Sequence, residues 1–265
     1  MSKYSCGVNR TVSIITATYN SEHTILRAIN SVNSQEYPHI QHVFIDGGSS
    51  DSTLQLIKGN SKRSPIIISE ADNGIYDALN KGVKYSTGDI IGFVHSDDVL
   101  AADGIVRKIV DRFRIADVDA VYGNLTYVDD STGRVRRIWK AGRYKYGALR
   151  WGWMPPHPTL YVCRKTFFEV GYFDTSFSVS GDYRWIVDLF SDRSRHFEYL
   201  PLTLVRMNMG GASNKGIPNI LKKMSEDYRV IKQAKIGGVD VLMAKNIRKI
   251  NQFFQLLISK LKKIV

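Results

Sequence analysis

Over the first hundred residues, short apolar, β-branched runs alternate with stretches whose apolar positions recur at helical spacing. Val12 to Thr18 (VSIITAT) reads as a buried strand running into the turn Tyr19-Asn20-Ser21. Asn20 or Ser21 caps the next segment, where Ile25, Ile29 and Val32 predict a helix over 24–32. His42 to Ile45 is a second strand, followed by a loop rich in glycine and serine from Asp46 to Thr53 and a helix through Leu54 to Lys58. Ile66 to Ser69 is a third strand; after the loop Ala71 to Gly74, Ile75, Leu79, Gly82 and Val83 mark another helix. A fourth strand, Ile90 to Val94, ends in His95-Ser96-Asp97-Asp98. This alternation predicts an α/β fold with a parallel, doubly wound sheet, in which ligands bind beyond the carboxyl ends of the strands. The polar loops 16–20, 46–53, 72–74 and 95–98 all fall there.

Past Val99 the alternation is lost. A helix near 104–114, strands near 120–128 and 134–140, and an aromatic, proline-bearing stretch over 144–161 predict a mixed second lobe ending near Val205. A helix over 217–235 comes next, and Gly237-Gly238 separates it from a last helix.

That last segment changes the picture. Between Val241 and Val265 there is no acidic residue, while Lys245, Arg248, Lys249, Lys260, Lys262 and Lys263 are basic and Met243, Ile247, Ile250, Phe254, Leu257, Leu261 and Ile264 recur at spacings of four and three. A basic amphipathic helix of this kind is expected to lie on an anionic membrane surface, each Lys or Arg near it adding about 1 kcal/mol. The alternatives are a helix docked on the domain or paired in a homodimer, because a 4-3 seam is also that of a coiled coil.

At 265 residues and 43% hydrophobic, the chain can bury the core of one good-sized domain. Its longest apolar runs fall far below the roughly 18 to 20 residues that span a bilayer. Residues 1–10 lack an apolar stretch of signal-peptide length, so the expected location is the cytosol, peripherally on the inner face of the membrane. Cys6 and Cys163 are far apart and read as plain thiols, not as a disulfide or zinc site. A net charge of +12 favours an anionic partner: nucleic acid, an acidic membrane or a phosphorylated ligand. Nucleic acid is disfavoured, since the densest basic stretch is the amphipathic tail and no recognition motif for RNA or DNA is present.

Asp97 and Asp98 are adjacent carboxylates directly after a buried strand. Mg²⁺ or Mn²⁺ takes one or two protein carboxylates and completes its shell with water and phosphate oxygens. The plainer reading is a capping turn ahead of the next helix.

VSIITATYN, IDGGSSDST, SEADNGIYDALNKG, TGDIIGFVHSDD and GYFDTSFSVSGDYRW stand in the order and spacing of family 2 glycosyltransferases, and over 12–206 the chain resembles that family. The resemblance implies a GT-A fold: a Rossmann-like, mostly parallel sheet with flanking helices, a mixed acceptor lobe and a C-terminal helical tail. It divides the chain into a nucleotide-sugar-binding half (1–100), an acceptor-binding, catalytic half (101–210) and the tail (211–265). It implies an inverting, Mn²⁺- or Mg²⁺-dependent transfer from a nucleotide-sugar donor, UDP-linked first and GDP- or dTDP-linked as alternates. The expected acceptor is a glycan, such as a polyprenyl-diphosphate-linked saccharide, in surface polysaccharide or O-antigen assembly. By position, Thr16, Ala17, Tyr19 and Asp46 resemble the residues that line base and ribose, and Asp72 faces the nucleoside. His95, Ser96 and Asp97 meet the donor, Asp97 and Asp98 hold the metal and diphosphate, and Asp182 is similar to the catalytic base. A catalytically inactive binding module with this fold is the alternative, and the presence of Asp97, Asp98 and Asp182 counts against it.

Two positions depart from the pattern. Many relatives read Asp-Asp-Gly-Ser where this chain has Asp46-Gly47-Gly48-Ser49, so a second acidic contact to the base is missing from that loop. His95 stands where the first aspartate of an Asp-x-Asp-Asp element is common; it either hydrogen-bonds ribose or phosphate or only packs at the strand end. Trp151, Trp153, Pro155, Pro156 and His157 either wall an acceptor site or pack a core loop. His157 either reaches the metal or diphosphate or is structural. Arg206 with 207–213 is a candidate lid over the diphosphate.

Overall fold

The computed structural model describes residues 10–115, 117–129, 132–208 and 217–261. The expected alternation is present as β1 (Val12–Thr18), α1 (Ile25–Asn33), β2 (Ile40–Asp46), α2 (Thr53–Asn60), β3 (Ile66–Ser69), α3 (Ile75–Tyr85) and β4 (Ile90–Phe93). These four strands pair in parallel in the order β3-β2-β1-β4. Every residue of β1 and β2 is buried, as expected of strands covered on both faces by helices. Helix α1 turns Ile25, Ala28, Ile29 and Val32 inward, the spacing of one helical face.

The second half continues the same sheet in mixed sense. It holds β5 (Val99–Leu100), α4 (Ile105–Ile115), β6 (Ala120–Val128), β7 (Val135–Trp139), β8 (Tyr161–Cys163), α5 (Arg164–Val170), α6 (Gly181–Ser191) and β9 (Phe197–Asn208). β8 lies antiparallel between β4 and β6, β6 pairs in parallel with β9, and β5 and β7 add antiparallel edges. Among these elements, β5, β8, α5 and the 12-residue β9 are not predicted by the pattern of apolar positions.

Two helices close the chain, α7 (Ile217–Gln233) and α8 (Val239–Leu261). Val230 and Ile231 of α7 and Val241 and Leu242 of α8 belong to the same buried cluster as Ile15, Phe93 and Trp185. The start of α8 is therefore docked on the body, where a helix lying in a membrane interface was expected. Gly152 sits against it in a left-handed conformation (φ +68°), and a Cβ there would fall 2.2 Å from the Lys245 backbone nitrogen. Exposure does not follow a plain basic-face reading: apolar Met243 and Ile247 are half exposed beside exposed Arg248 and Lys249, whereas Lys245 and Gln252 point inward. Residues 262–265 of the expected tail lie outside the described residues. No helix among the described residues is long and apolar enough to cross a membrane.

Candidate active site

The loops that leave β1, β2 and β4 are sewn together at the carboxyl edge of the sheet. Asn20, held in the left-handed region (φ 45°), accepts the Ser50 N–H on its Oδ1 and donates its own N–H to Ser49 Oγ, each at 2.9 Å. Such a residue is strained unless its surroundings fix it, and these two bonds do so. The Ser21 hydroxyl donates to Ser96 Oγ at 3.1 Å, tying the first loop to the carboxylate loop after β4.

Several residues expected at the nucleotide are committed to this scaffold. The Thr16 hydroxyl is fully buried, donates to the Val94 carbonyl at 2.7 Å and meets His42 Nε2 at 3.0 Å. Ala17 is buried beside it. Asp46 is buried, and its carboxylate accepts from the Ser49 N–H, the Ser49 hydroxyl and the Ser69 hydroxyl. It shapes the loop from beneath. Tyr19, by contrast, is 64% exposed at the mouth.

Gly47, the departure noted in the sequence, acquires a physical reason. A Cβ at that position would lie 2.6 Å from Asp72 Oδ2 and 3.4 Å from the Tyr19 ring. The carboxylate missing from position 47 is thus replaced in space by that of Asp72, whose other oxygen accepts the Gly74 N–H at 2.8 Å.

Asp97 is half-buried in the turn after β4, and Asp98 is fully buried. Neither Asp98 oxygen has a hydrogen-bond partner among the described residues. Burial, and then the charge of Asp97, pushes the Asp98 carboxyl well above the usual carboxylate range. An orphaned buried carboxylate is costly unless something binds it. A hard divalent cation fits, and because no cluster of three or more His, Cys, Asp or Glu forms among the described residues, its shell would be completed by phosphate and water.

His95 and His157 sit between this loop and Asp182. Their rings are 5.9 Å apart, and His157 stacks on Phe93 at 5.0 Å with its buried Nε2 unpartnered. Burial holds His95 below its ordinary pKa although Asp97 and Asp182 both pull it up. Burial likewise takes His157 down to about 4, so both rings are neutral at pH 7.

Asp182 lies in the first turn of α6, one residue past the start of the helix, so the capping position itself belongs to Ser180. The preceding loop is clamped by α7: Glu226 accepts the N–H groups of Ser178, Val179 and Ser180 and the Ser178 hydroxyl, at 2.8 to 3.1 Å. Burial would raise the Asp182 pKa, but Lys223, His157, Lys245 and the Tyr183 N–H outweigh it and hold the carboxyl below its usual value. Asp182 is therefore ionised and able to accept a proton. It opens onto a cavity of about 380 Å³ shared with His157, Trp153, Arg137 and residues of α7 and α8.

The aromatic stretch divides. Trp153 is core, donating its indole N–H to the Ala141 carbonyl at 2.8 Å and packing on Tyr144 and Phe190 while one edge reaches the cavity. Pro155 and Pro156 are buried and Trp151 is 71% exposed. Arg206 is exposed within β9; of the candidate lid, 209–213 lie outside the described residues.

Residues 13–177 match the family model described as Glycosyl transferase family 2. The chain is similar to the UDP-Glc:alpha-D-GlcNAc-diphosphoundecaprenol beta-1,3-glucosyltransferase WfgD of Escherichia coli, 31% identical over 122 residues, which are 46% of this chain and 48% of that protein. Among solved structures it resembles S. aureus TarS 1-349 in complex with UDP-GlcNAc, with a TM-score of 0.65, 18% identity, and coverage of 84% of this chain and 65% of that one. It also resembles the mannosyltransferase PcManGT of Pyrobaculum calidifontis in complex with GDP-Man and Mn²⁺, with a TM-score of 0.64, 16% identity, and coverage of 90% and 70%.

Proposed function

The chain belongs to glycosyl transferase family 2, and from that premise we propose that it transfers one sugar from a nucleotide-sugar donor to a hydroxyl of a lipid-linked saccharide, with inversion. The observation that carries the reading is an ionised Asp182 that shares its cavity with His157, whose ring lies 5.9 Å from that of His95 at the head of the Asp97–Asp98 loop.

Asp182 accepts the proton of the acceptor hydroxyl as its oxygen attacks the anomeric carbon. The new glycosidic bond forms as the bond to the nucleoside diphosphate breaks. A single displacement inverts the centre without a covalent intermediate, so one carboxylate base suffices. Asp97 and Asp98 are the residues to hold Mn²⁺ or Mg²⁺, which when bound neutralises charge on the departing diphosphate. Tyr19 and Asp72 flank the base, and neutral His95 and Ser96 face the ribose and diphosphate.

UDP is the favoured nucleotide, in line with the donors named for WfgD and TarS, and GDP is the alternate, as in PcManGT. The acceptor class follows WfgD, whose name specifies a sugar on diphosphoundecaprenol. Half-exposed Met243 and Ile247 on α8 offer the apolar surface for peripheral attachment to the anionic inner face of the membrane.

The test is release of nucleoside diphosphate from UDP- and GDP-sugars in the presence of a synthetic GlcNAc-diphosphate lipid, with Mn²⁺ and then EDTA. Metal-dependent release that requires the lipid is expected. An inactive protein that still binds nucleotide would instead establish the binding-module reading.

A further inference from the structure

The cavity beside Asp182 holds more positive charge than proton transfer uses. Among its described lining residues are six cations, Arg137, Lys140, Lys223, Lys245, Arg248 and Lys249, against the carboxylates Asp182 and Asp227. Asp227 is already engaged, accepting the Ser180 hydroxyl and pairing with Lys245, each at 2.8 Å. Arg137 is 6% exposed, its guanidinium fixed by Gln252 Oε1 and laid over the Tyr127 ring at 4.5 Å. A buried, pre-oriented guanidinium with several lysines around it is built for a multiply charged anion, phosphate oxygens above all.

Two further features narrow that anion. The residues proposed to face the nucleotide, Tyr19, Asp72, Ser96 and Asp97, are not among the cavity's described lining, so its cations stand apart from them. Beside the lysines, Ile220 and Met224 of α7 also line the cavity and remain 52% and 37% exposed. A charged pocket with an apolar lip fits an anion that carries a hydrocarbon tail.

We propose that this cavity binds the diphosphate of a prenyl-diphosphate-linked acceptor, with Arg137, Lys223, Lys245 and Lys249 on the phosphate oxygens and Ile220 and Met224 along the first isoprene units. The inference rests on the proposed lipid-linked acceptor and adds its binding site. The saccharide then extends toward Asp182, and α8 becomes a wall of the acceptor site.

The experiment is calorimetric titration of the full chain with UDP and Mn²⁺, with inorganic pyrophosphate and with geranyl diphosphate, for the wild type and for Lys223→Gln/Lys249→Gln. Both lysines reach solvent, so the double variant keeps the fold. The expected result is tighter binding of geranyl diphosphate than of pyrophosphate, weakened about tenfold per lysine removed, with UDP affinity unchanged. A parallel loss of UDP affinity would overturn the proposal, because the lysines would then serve the donor. So would unchanged geranyl diphosphate binding in the variant, or equal wild-type binding of pyrophosphate and geranyl diphosphate. Wild-type protein that binds no nucleoside diphosphate would remove the transferase reading itself, a failure visible before any substitution is made.

Discussion

The Tyr76 hydroxyl stands 3.1 Å from Asp182 Oδ1 and 2.8 Å from the Val179 carbonyl, joining α3 of the parallel half to the first turn of α6. Burial and the Asp182 charge raise the Tyr76 pKa, so its proton stays on the hydroxyl as a permanent donor. If Asp182 is the base as proposed, Tyr76 is its positioning residue. Tyr76→Phe should lower kcat about tenfold with the donor KM unchanged. Asp182→Asn should cost about 10² to 10⁴ in kcat while nucleotide affinity holds. Loss of donor binding in either variant would remove Asp182 from the role of base.

Asp98 makes the opposite trade. Its buried, unpartnered carboxylate costs stability until a cation arrives, so Asp98→Asn should raise the metal-free unfolding free energy by about 1 to 3 kcal/mol. The same substitution should abolish the rise in Tm that Mn²⁺ gives the wild type. Calorimetric scans with and without EDTA measure both, and a variant less stable than wild type in EDTA would mean that Asp98 has a structural partner.

Gly47→Ala should drive Asp72 from its place, because the added methyl carbon would lie 2.6 Å from Asp72 Oδ2. Nucleotide affinity is expected to fall by about tenfold, and Asp72→Ala to do the same. If both act through one carboxylate, the double variant is no worse than either single one. Additive losses in a titration with UDP would separate the two positions.

In the proposed acceptor site, Lys245 should set a basic limit on acceptor use. Burial lowers its pKa to about 8 against the pull of Asp227, so it is cationic below that pH and neutral above. The acceptor KM should therefore rise as pH increases through about 8, with the donor KM flat. Lys245→Arg keeps its charge throughout and should flatten the profile. A wild-type acceptor KM that does not respond over pH 7 to 9 would take Lys245 out of the site.

The parallel half was legible because its signals are local. β1 and β3 match the residues expected, and so does β6 in the mixed half, since apolar β-branched runs bounded by polar loops have one economical reading. β8, only three residues long, carries too little sequence to register, and its place between β4 and β6 depends on pairing with distant strands. The basic face of α8 was legible as charge but not as direction: Gln252 and Lys245 turn inward because Arg137 and Asp227, far away in sequence, await them. Glu226 gave no signal at all, for nothing in its neighbourhood announces the loop 178–180 that it holds.

Ladder hydrogen bonds run without a break from β3 through β2, β1, β4 and β8 to β6 and β9. The strands whose loops are proposed to meet the donor and the strands that wall the cavity beside Asp182 are thus joined in one sheet. Ligand-driven rearrangement is therefore expected in the loops and helices, which lie outside the ladder. Heat should find the same continuity: both halves lose structure in a single transition, and nothing shorter than the whole sheet survives as a stable fragment.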